Sequence, residues 1–207
     1  MGDAELIGAV IAGGLSTRYG SPKALARVGG VRIVDRVTGA LQEAAARVVA
    51  IVNDPALGAE IALPQRADVL RDVGALAGVH AALLWARDVG AAGIISVGCD
   101  MPFVNAALLR ALMTLHASSG ADVTIPESGS KRGVEPLCAC YGVACIAAIE
   151  QAVQRGDARM IGFFADVRVT RMPLTEVAKY GDPALLFRNI NTPDDLAAAE
   201  RALAGEP

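Results

Sequence analysis

Residues 6 to 14 narrow the folding possibilities most: an apolar run that stops at a pair of glycines. Leu6 to Ile11 is too short to cross a bilayer and rich enough in β-branched residues for a buried strand. Gly13 and Gly14 end it, and glycine permits backbone angles other residues avoid and lets a ligand approach the main chain. Ser16 and Thr17 add hydroxyls, Arg18 and Lys23 add two cations, and Gly20 and Pro22 shape the loop between them. Backbone N–H groups with two cations suit a polyanion, with a phosphate chain the favoured ligand.

Two better-known phosphate loops are excluded by spacing. A Walker loop needs Gly-x-x-x-x-Gly-Lys-Ser/Thr, whereas five residues separate Gly14 from Gly20, and Ser-Pro-Lys follows. A dinucleotide fingerprint needs Gly-x-Gly-x-x-Gly, and Gly13-Gly14 has the wrong first step. A glycine-rich turn that binds nothing is the competing reading, and the two cations weigh against it.

The length, 207 residues, suits a single domain, 1–207, with a frayed tail over about 204–207. Hydrophobic residues make up 53 %, too many for a disordered chain, and the abundant alanine favours closely packed helices. A net charge of −3 without a basic stripe argues against a nucleic-acid partner. The opening Met-Gly-Asp-Ala-Glu lacks the features of a signal peptide, and no apolar run is long enough for a membrane span, so a cytoplasmic protein is expected. The cysteines, Cys99, Cys138, Cys140 and Cys145, form no Cys-x-x-Cys pair and read as buried thiols. Cys138 and Cys140 would share one face of a strand. With only His80 and His116, a histidine-based mechanism has little material.

Further strands are expected at 48–53, 68–71, 93–98, 122–125 and 135–142, with helices over 33–46, 76–88, 104–118 and 143–155 between them. Trp85 falls on the apolar face of its helix and reads as core. Segment 126–134, carrying Glu127, Lys131 and Arg132, is the most loop-like internal stretch and suits a mobile flap. Strands alternating with helices imply a three-layer α/β/α, Rossmann-like architecture, with a mostly parallel sheet and helices on both faces. Near the end, Thr192 as N-cap, Pro193 at N1 and Asp195 at the third position start a last helix; capping is the preferred reading of Asp194 and Asp195, and Asn189 and Asn191 ahead of it are free to bind.

In open α/β sheets ligands sit beyond the carboxyl ends of the strands. Gly13-Gly14, Asn53-Asp54, Asp72 and Cys99-Asp100-Met101-Pro102 all follow expected strands. Asp100 faces a choice. One aspartate opposite a phosphate loop suits magnesium, which takes one or two carboxylates together with phosphate and water oxygens. The alternative is an acid capping a helix that begins near Pro102.

The stretch Ala12 to Lys23 resembles the signature of nucleotidyltransferases that activate small phosphorylated molecules with a nucleoside triphosphate. Within them it is most similar to the molybdenum cofactor guanylyltransferases, Leu-Ala-Gly-Gly-x-Ser-x-Arg-Met-Gly-x-x-Lys, with Ile11 for leucine and Tyr19 for methionine. Cys99-Asp-x-Pro102 matches the family's metal-binding segment, and Asp72-Val-Gly-Ala-Leu-Ala-Gly78 its Gly-Pro-Leu-Ala-Gly, with Ala75 for proline. Glu135-Pro-Leu-Cys-Ala and Asn189-Ile-Asn-Thr-Pro-Asp-Asp-Leu196 match two further segments. They occur in family order over nearly the whole chain.

The resemblance implies that a phosphate of molybdopterin attacks the α-phosphorus of GTP and pyrophosphate leaves. It implies Arg18, Lys23 and Asp100 as catalytic residues. Ile11, Ala12, Gly13, Gly14, Lys23, Asn53, Asp72 and Asp100 would bind the nucleotide, with Asn53 and Asp72 on guanine and ribose. Asp100 would hold Mg2+, and Gly78, Asn189 and Asn191 would lie on the molybdopterin side. Implied partners are GTP, molybdopterin, and molybdoenzyme apoproteins or their chaperones as receivers of the product. A molybdopterin cytidylyltransferase or a sugar-phosphate nucleotidyltransferase remains an alternative, although those relatives more often read Ala-Ala-Gly where this chain has Ala12-Gly13-Gly14. A catalytically silent nucleotide-binding module is the alternative of another class, and retention of Asp100 and Lys23 argues against it.

Overall fold

A computed structural model describes residues 5–12, 23–71 and 73–204. In chain order the elements are β1 (Leu6–Ala12), a 3-10 turn (Lys23–Leu25), β2 (Arg27–Val28), β3 (Val31–Arg32), α1 (Ile33–Ala44), β4 (Val48–Val52), α2 (Pro55–Ala59) and β5 (Gln65–Arg66). Then come α3 (Ala75–Asp88), β6 (Gly93–Gly98), α4 (Ala106–Ser119), β7 (Val123–Pro126), β8 (Ala139–Gly142) and α5 (Cys145–Gln154). The chain continues through β9 (Val169–Met172), α6 (Leu174–Val177), α7 (Pro183–Leu186) and α8 (Pro193–Ala204). The end of the expected tail, 205–207, lies outside the described residues.

β1 is buried along its whole length because both its faces are covered. It runs parallel to β4 on one side and β6 on the other, in a seven-stranded sheet of order β5-β4-β1-β6-β8-β7-β9. Residues alternate between two cores, as strand geometry requires. Val10, Ala50 and Ile95 face α1 and α4, through Val37, Leu41, Leu108 and Leu112. Ile7, Ile11, Ile51 and Ile94 face α3 and α5, through Leu76, Leu83 and Ile149. The expected three-layer α/β/α architecture is the observed one.

The parallel half ends at β6. β8 runs antiparallel to β6 and to β7, and β9 is parallel to β7. β2 and β3 form a separate small hairpin, and α8 packs on it, with Ile190 and Ala199 against Val28 and Ile33. Glu200 accepts from the Gly29 N–H through both carboxylate oxygens, at 3.1 and 3.0 Å. Among the described residues no helix is long and apolar enough to cross a membrane.

Two expected strands are corrected. Segment 68–71 is bent, with Val69 63 % exposed; the strand beside β4 is instead β5, where Ala50 pairs with Gln65 and Ile51 with Arg66. Two apolar residues there imitate a strand without a sheet neighbour to complete it. The strand expected over 135–142 is only β8, because Pro136 has no N–H to give a ladder and Glu135 to Cys138 form a turn, Cys138 N–H donating to Glu135 O at 3.2 Å. Cys138 and Cys140 nevertheless lie in the same core, on the α1 and α4 side. Trp85 sits at the margin of the other core, partly buried, with the Arg66 guanidinium 4.5 Å from its ring centroid.

α3 approaches β1 closely at Gly78, where an added Cβ would stand 2.7 Å from Ile11 Cγ2. Gly39, inside α1, has nothing within 4 Å of an added Cβ. Gly78→Val is therefore expected to destabilise by about 1–3 kcal/mol through overpacking. Gly39→Ala is expected to stabilise by roughly 0.5–1 kcal/mol. Urea unfolding of both variants checks the opposite signs.

Candidate active site

The parallel register brings the ends of β1, β4 and β6 to one edge of the sheet. β6 is extended there by one bond, Cys99 N–H donating to Ile11 O at 3.0 Å, and the chain turns as Met101 N–H donates to Gly98 O at 3.3 Å. Met101 is fully buried and anchors the turn. Asp100 is thereby held at the carboxyl end of β6, beside the end of β1.

Three distant residues meet at this edge. Lys23 Nζ donates to Asp100 Oδ2 at 2.8 Å and to Asn191 Oδ1 at 2.7 Å. The Lys23 and Asp100 side chains are 21 % and 16 % exposed. Lys23 enters from the 3-10 turn, whose Ala24 is buried. Asn191 is placed by the start of α8: Thr192 Oγ1 accepts from Asp195 N–H at 3.1 Å, while Asp195 Oδ2 accepts from the Asn191 and Thr192 N–H groups, each at 2.9 Å. This is a capping box, and the Asn191 N–H in particular holds the Asp195 carboxyl below the usual range. Ile190 N–H donates to Asp100 O at 2.9 Å, tying the two segments together.

The capping reading of Asp100 is corrected. The next helix starts at Ala106, and its cap is Asn105, whose Oδ1 accepts from Leu108 N–H at 3.0 Å while its Nδ2 donates to Tyr180 O at 2.8 Å. Both asparagines ahead of α8 stand outside its cap, and the Asn191 side chain engages Lys23.

The remaining expected site residues divide by location. Ile11 and Ala12 are buried at the end of β1, and Gly78 is buried against Ile11, which gives that glycine a packing reason of its own. Asn53 follows β4 and grips Asp68: its Nδ2 donates to Asp68 Oδ2 at 2.6 Å, and its Oδ1 accepts from Asp68 N–H at 3.0 Å. Asp54 caps α2 through the Ala56 N–H at 2.9 Å. Asn189 is half-buried two residues before Asn191. Gly13, Gly14, Arg18 and Asp72 lie outside the described residues. The flap segment 126–134 closes on itself, Ser128 N–H donating to Gly133 O at 3.0 Å, and Glu127 Oε2 accepts from Leu174 N–H at 3.1 Å.

A carboxylate and an amide oxygen converging on one ammonium form a donor set that also suits magnesium, which prefers oxygen and takes few protein ligands. The four cysteines are buried, and burial pushes the thiols up, Cys99 to about 12. Two residues given no role by sequence patterns stand near the site, Asp68 on Asn53 and the buried Glu135, whose carboxyl is raised by burial, with the Asp100 charge adding in the same direction.

The fold and the relatives of this chain define its class, a nucleotidyltransferase. Residues 8–169 match the MobA-like NTP transferase domain, and the chain belongs to that family. It is 36 % identical over 195 residues to a probable molybdenum cofactor guanylyltransferase of Pelotomaculum thermopropionicum, covering 94 % of this chain and 92 % of that one. It is 31 % identical over 199 residues to a molybdenum cofactor guanylyltransferase of Desulfosudis oleivorans, covering 95 % of each. The crystal structure of molybdopterin-guanine dinucleotide biosynthesis protein A from Archaeoglobus fulgidus superposes with a TM-score of 0.80 at 26 % identity, over 97 % of this chain and 100 % of that one.

Capping and site chemistry separate in two variants. Asn105→Ala is expected to lower stability by about 1–2 kcal/mol. Asp100→Asn, which leaves that cap intact, is expected to lower it less. Thermal melts of the two variants check the order.

Proposed function

We propose that the chain transfers GMP from GTP to molybdopterin, in the biosynthesis of the molybdenum cofactor. The observation that carries the reading is the meeting of Lys23, Asp100 and Asn191 at the carboxyl edge of β1 and β6. The names of its relatives support the choice of substrates.

In this reading a phosphate oxygen of molybdopterin forms a bond to the α-phosphorus of GTP, while the bond from that phosphorus to the bridging oxygen breaks and pyrophosphate leaves with the electron pair. Lys23, placed by the 3-10 turn, binds the triphosphate and neutralises charge on the leaving pyrophosphate. Arg18 and the backbone amides of Gly13 and Gly14, assigned by sequence, hold the same phosphates. Asn53 and Asp72 are assigned to guanine and ribose, and Gly78 and Asn189 to the molybdopterin side. Asp100 and Asn191 would hold Mg2+, which supplies electrostatic stabilisation of phosphate charge when bound. The resemblance puts Asn191 on the molybdopterin side, but its position beside Lys23 and Asp100 suits the metal better. Positioning and charge neutralisation account for most of the acceleration, since such a transfer asks for little covalent help.

Without nucleotide, the Lys23 ammonium occupies the oxygens that the metal would take. Metal and triphosphate then bind cooperatively, because phosphates draw Lys23 away from Asp100.

Pyrophosphate release, measured with molybdopterin and GTP, CTP or UTP at equal concentrations, is expected to be fastest with GTP. Faster release with CTP would establish the cytidylyl alternative instead. Lys23→Ala is expected to lower turnover by about a hundredfold or more, the scale for losing one preorganised electrostatic contact. Lys23→Met should bind Mn2+ more tightly than wild type in the absence of nucleotide, read from the electron paramagnetic resonance of free Mn2+; equal affinity would show that ammonium and metal do not compete.

A further inference from the structure

The antiparallel register of β6 and β8 runs from Gly93 opposite Gly142 to Ser96 opposite Ala139. Beyond it both chains turn but stay side by side: a Cβ at Gly98 would stand 3.3 Å from Leu137 Cδ1 and 2.9 Å from Asp100 Oδ1. Asp100 therefore spends Oδ2 on Lys23 and folds Oδ1 back over Gly98, beside the chain that leads into β8.

Glu135 stands in that chain and is fixed by its backbone. Its N–H donates to Pro126 O at 3.1 Å, and its carbonyl accepts from Cys138 N–H at 3.2 Å. The residue is only 8 % exposed. Oε1 accepts from Leu137 N–H at 3.3 Å, while Oε2 has no hydrogen-bond partner among the described residues. Glu135 also makes no ion pair among the described residues, and Oε2 is not one of the fully buried polar atoms, so it remains open to a ligand. Burial raises its carboxyl, the nearby Asp100 charge raises it further, and Arg132 opposes both. Among the described residues, two carboxylates thus stand near this edge of the sheet with one ammonium bonded to Asp100, a charge balance that a divalent cation would correct.

We propose that Glu135 supplies a second carboxylate to the divalent-cation site that contains Asp100. The inference rests on the reading of Asp100 as a metal ligand, and magnesium accommodates two carboxylates. A purely structural Glu135, serving only the turn before β8, would not influence metal affinity.

The test is Mn2+ binding to the full chain in the presence of a GTP analogue with a non-cleavable α–β bridge, read by electron paramagnetic resonance, with melting curves alongside. Glu135→Gln keeps the shape and the acceptor for Leu137 N–H but removes the charge. It should weaken Mn2+ binding by about tenfold or more with no loss of melting temperature. Glu135→Asp, which keeps the charge but withdraws it by one methylene, should fall between Gln and wild type, and serves if the Gln variant does not fold. Binding within twofold of wild type in a folded variant overturns the proposal. If Asp100→Asn weakens Mn2+ binding while Glu135→Gln does not, Glu135 is removed and the nucleotidyltransfer reading stands. A wild-type protein that binds no Mn2+ with any nucleotide overturns both.

Discussion

The parallel seating of β1 between β4 and β6 is the constraint on which everything else rests. A strand paired on both sides and covered on both faces must be apolar throughout, and Leu6 to Ala12 is. Its alternation sends Val10 to one core and Ile11 to the other, so a single strand fixes the positions of α1 and α4 below and α3 above. The same parallel register makes the three strand ends coincide. Lys23, which enters after β1, and Asp100, after β6, are neighbours for that reason, although 77 residues separate them.

What could be read from the sequence followed from local rules. β1, β4 and β6 were legible because buried parallel strands are continuous apolar runs, and the start of α8 because Thr192, Pro193 and Asp195 occupy capping positions that work without tertiary help. β5 was missed because two residues carry no period, and only the ladder from β4 makes them a strand. The length of β8 was overestimated because Pro136 interrupts the ladder in a run that is otherwise apolar enough. Within the site, residue types at strand ends drew attention to Asp100 and Asn53. The grip of Asn53 on Asp68 and of Lys23 on Asn191 is long-range and leaves no local pattern. α4 starts at Ala106 rather than near Pro102, and its cap is Asn105, a residue type that carries a local capping signal of its own.

The ion pairs of this protein differ in what they can contribute. Arg155–Asp166 and Lys179–Glu176 lie on the surface, where solvent and salt reduce such pairs to a small fraction of a kilocalorie or little more. Lys23–Asp100 is mostly withdrawn from solvent, and both partners, with Asn191 beside them, are held through the backbone: Lys23 by its turn, Asp100 by the bonds around Met101 and Ile190, Asn191 by the capping box. The backbone positions of all three are set by the fold, and only the side-chain contacts among them are free to exchange. The α8 helix therefore does more than close the chain, because its first turn is what carries Asn191 to Lys23.

The change from parallel to antiparallel pairing at β8 has a consequence for this edge. In a wholly parallel sheet only the carboxyl ends of strands would meet there, and each would add one loop. An antiparallel strand brings its amino end instead, so the residues leading into β8 run beside the carboxyl end of β6. Leu137 reaches Gly98 by that route, and Glu135, two residues before it, feels the Asp100 charge. The turn is set by Pro136, which bars extension of the ladder, and by the Tyr141 hydroxyl, which donates to Pro136 O at 2.6 Å from within the core. A buried tyrosine thereby holds the turn that presents a carboxylate. The reversal of strand direction thus lets the second half of the chain place charge beside the edge of the sheet that the first half builds.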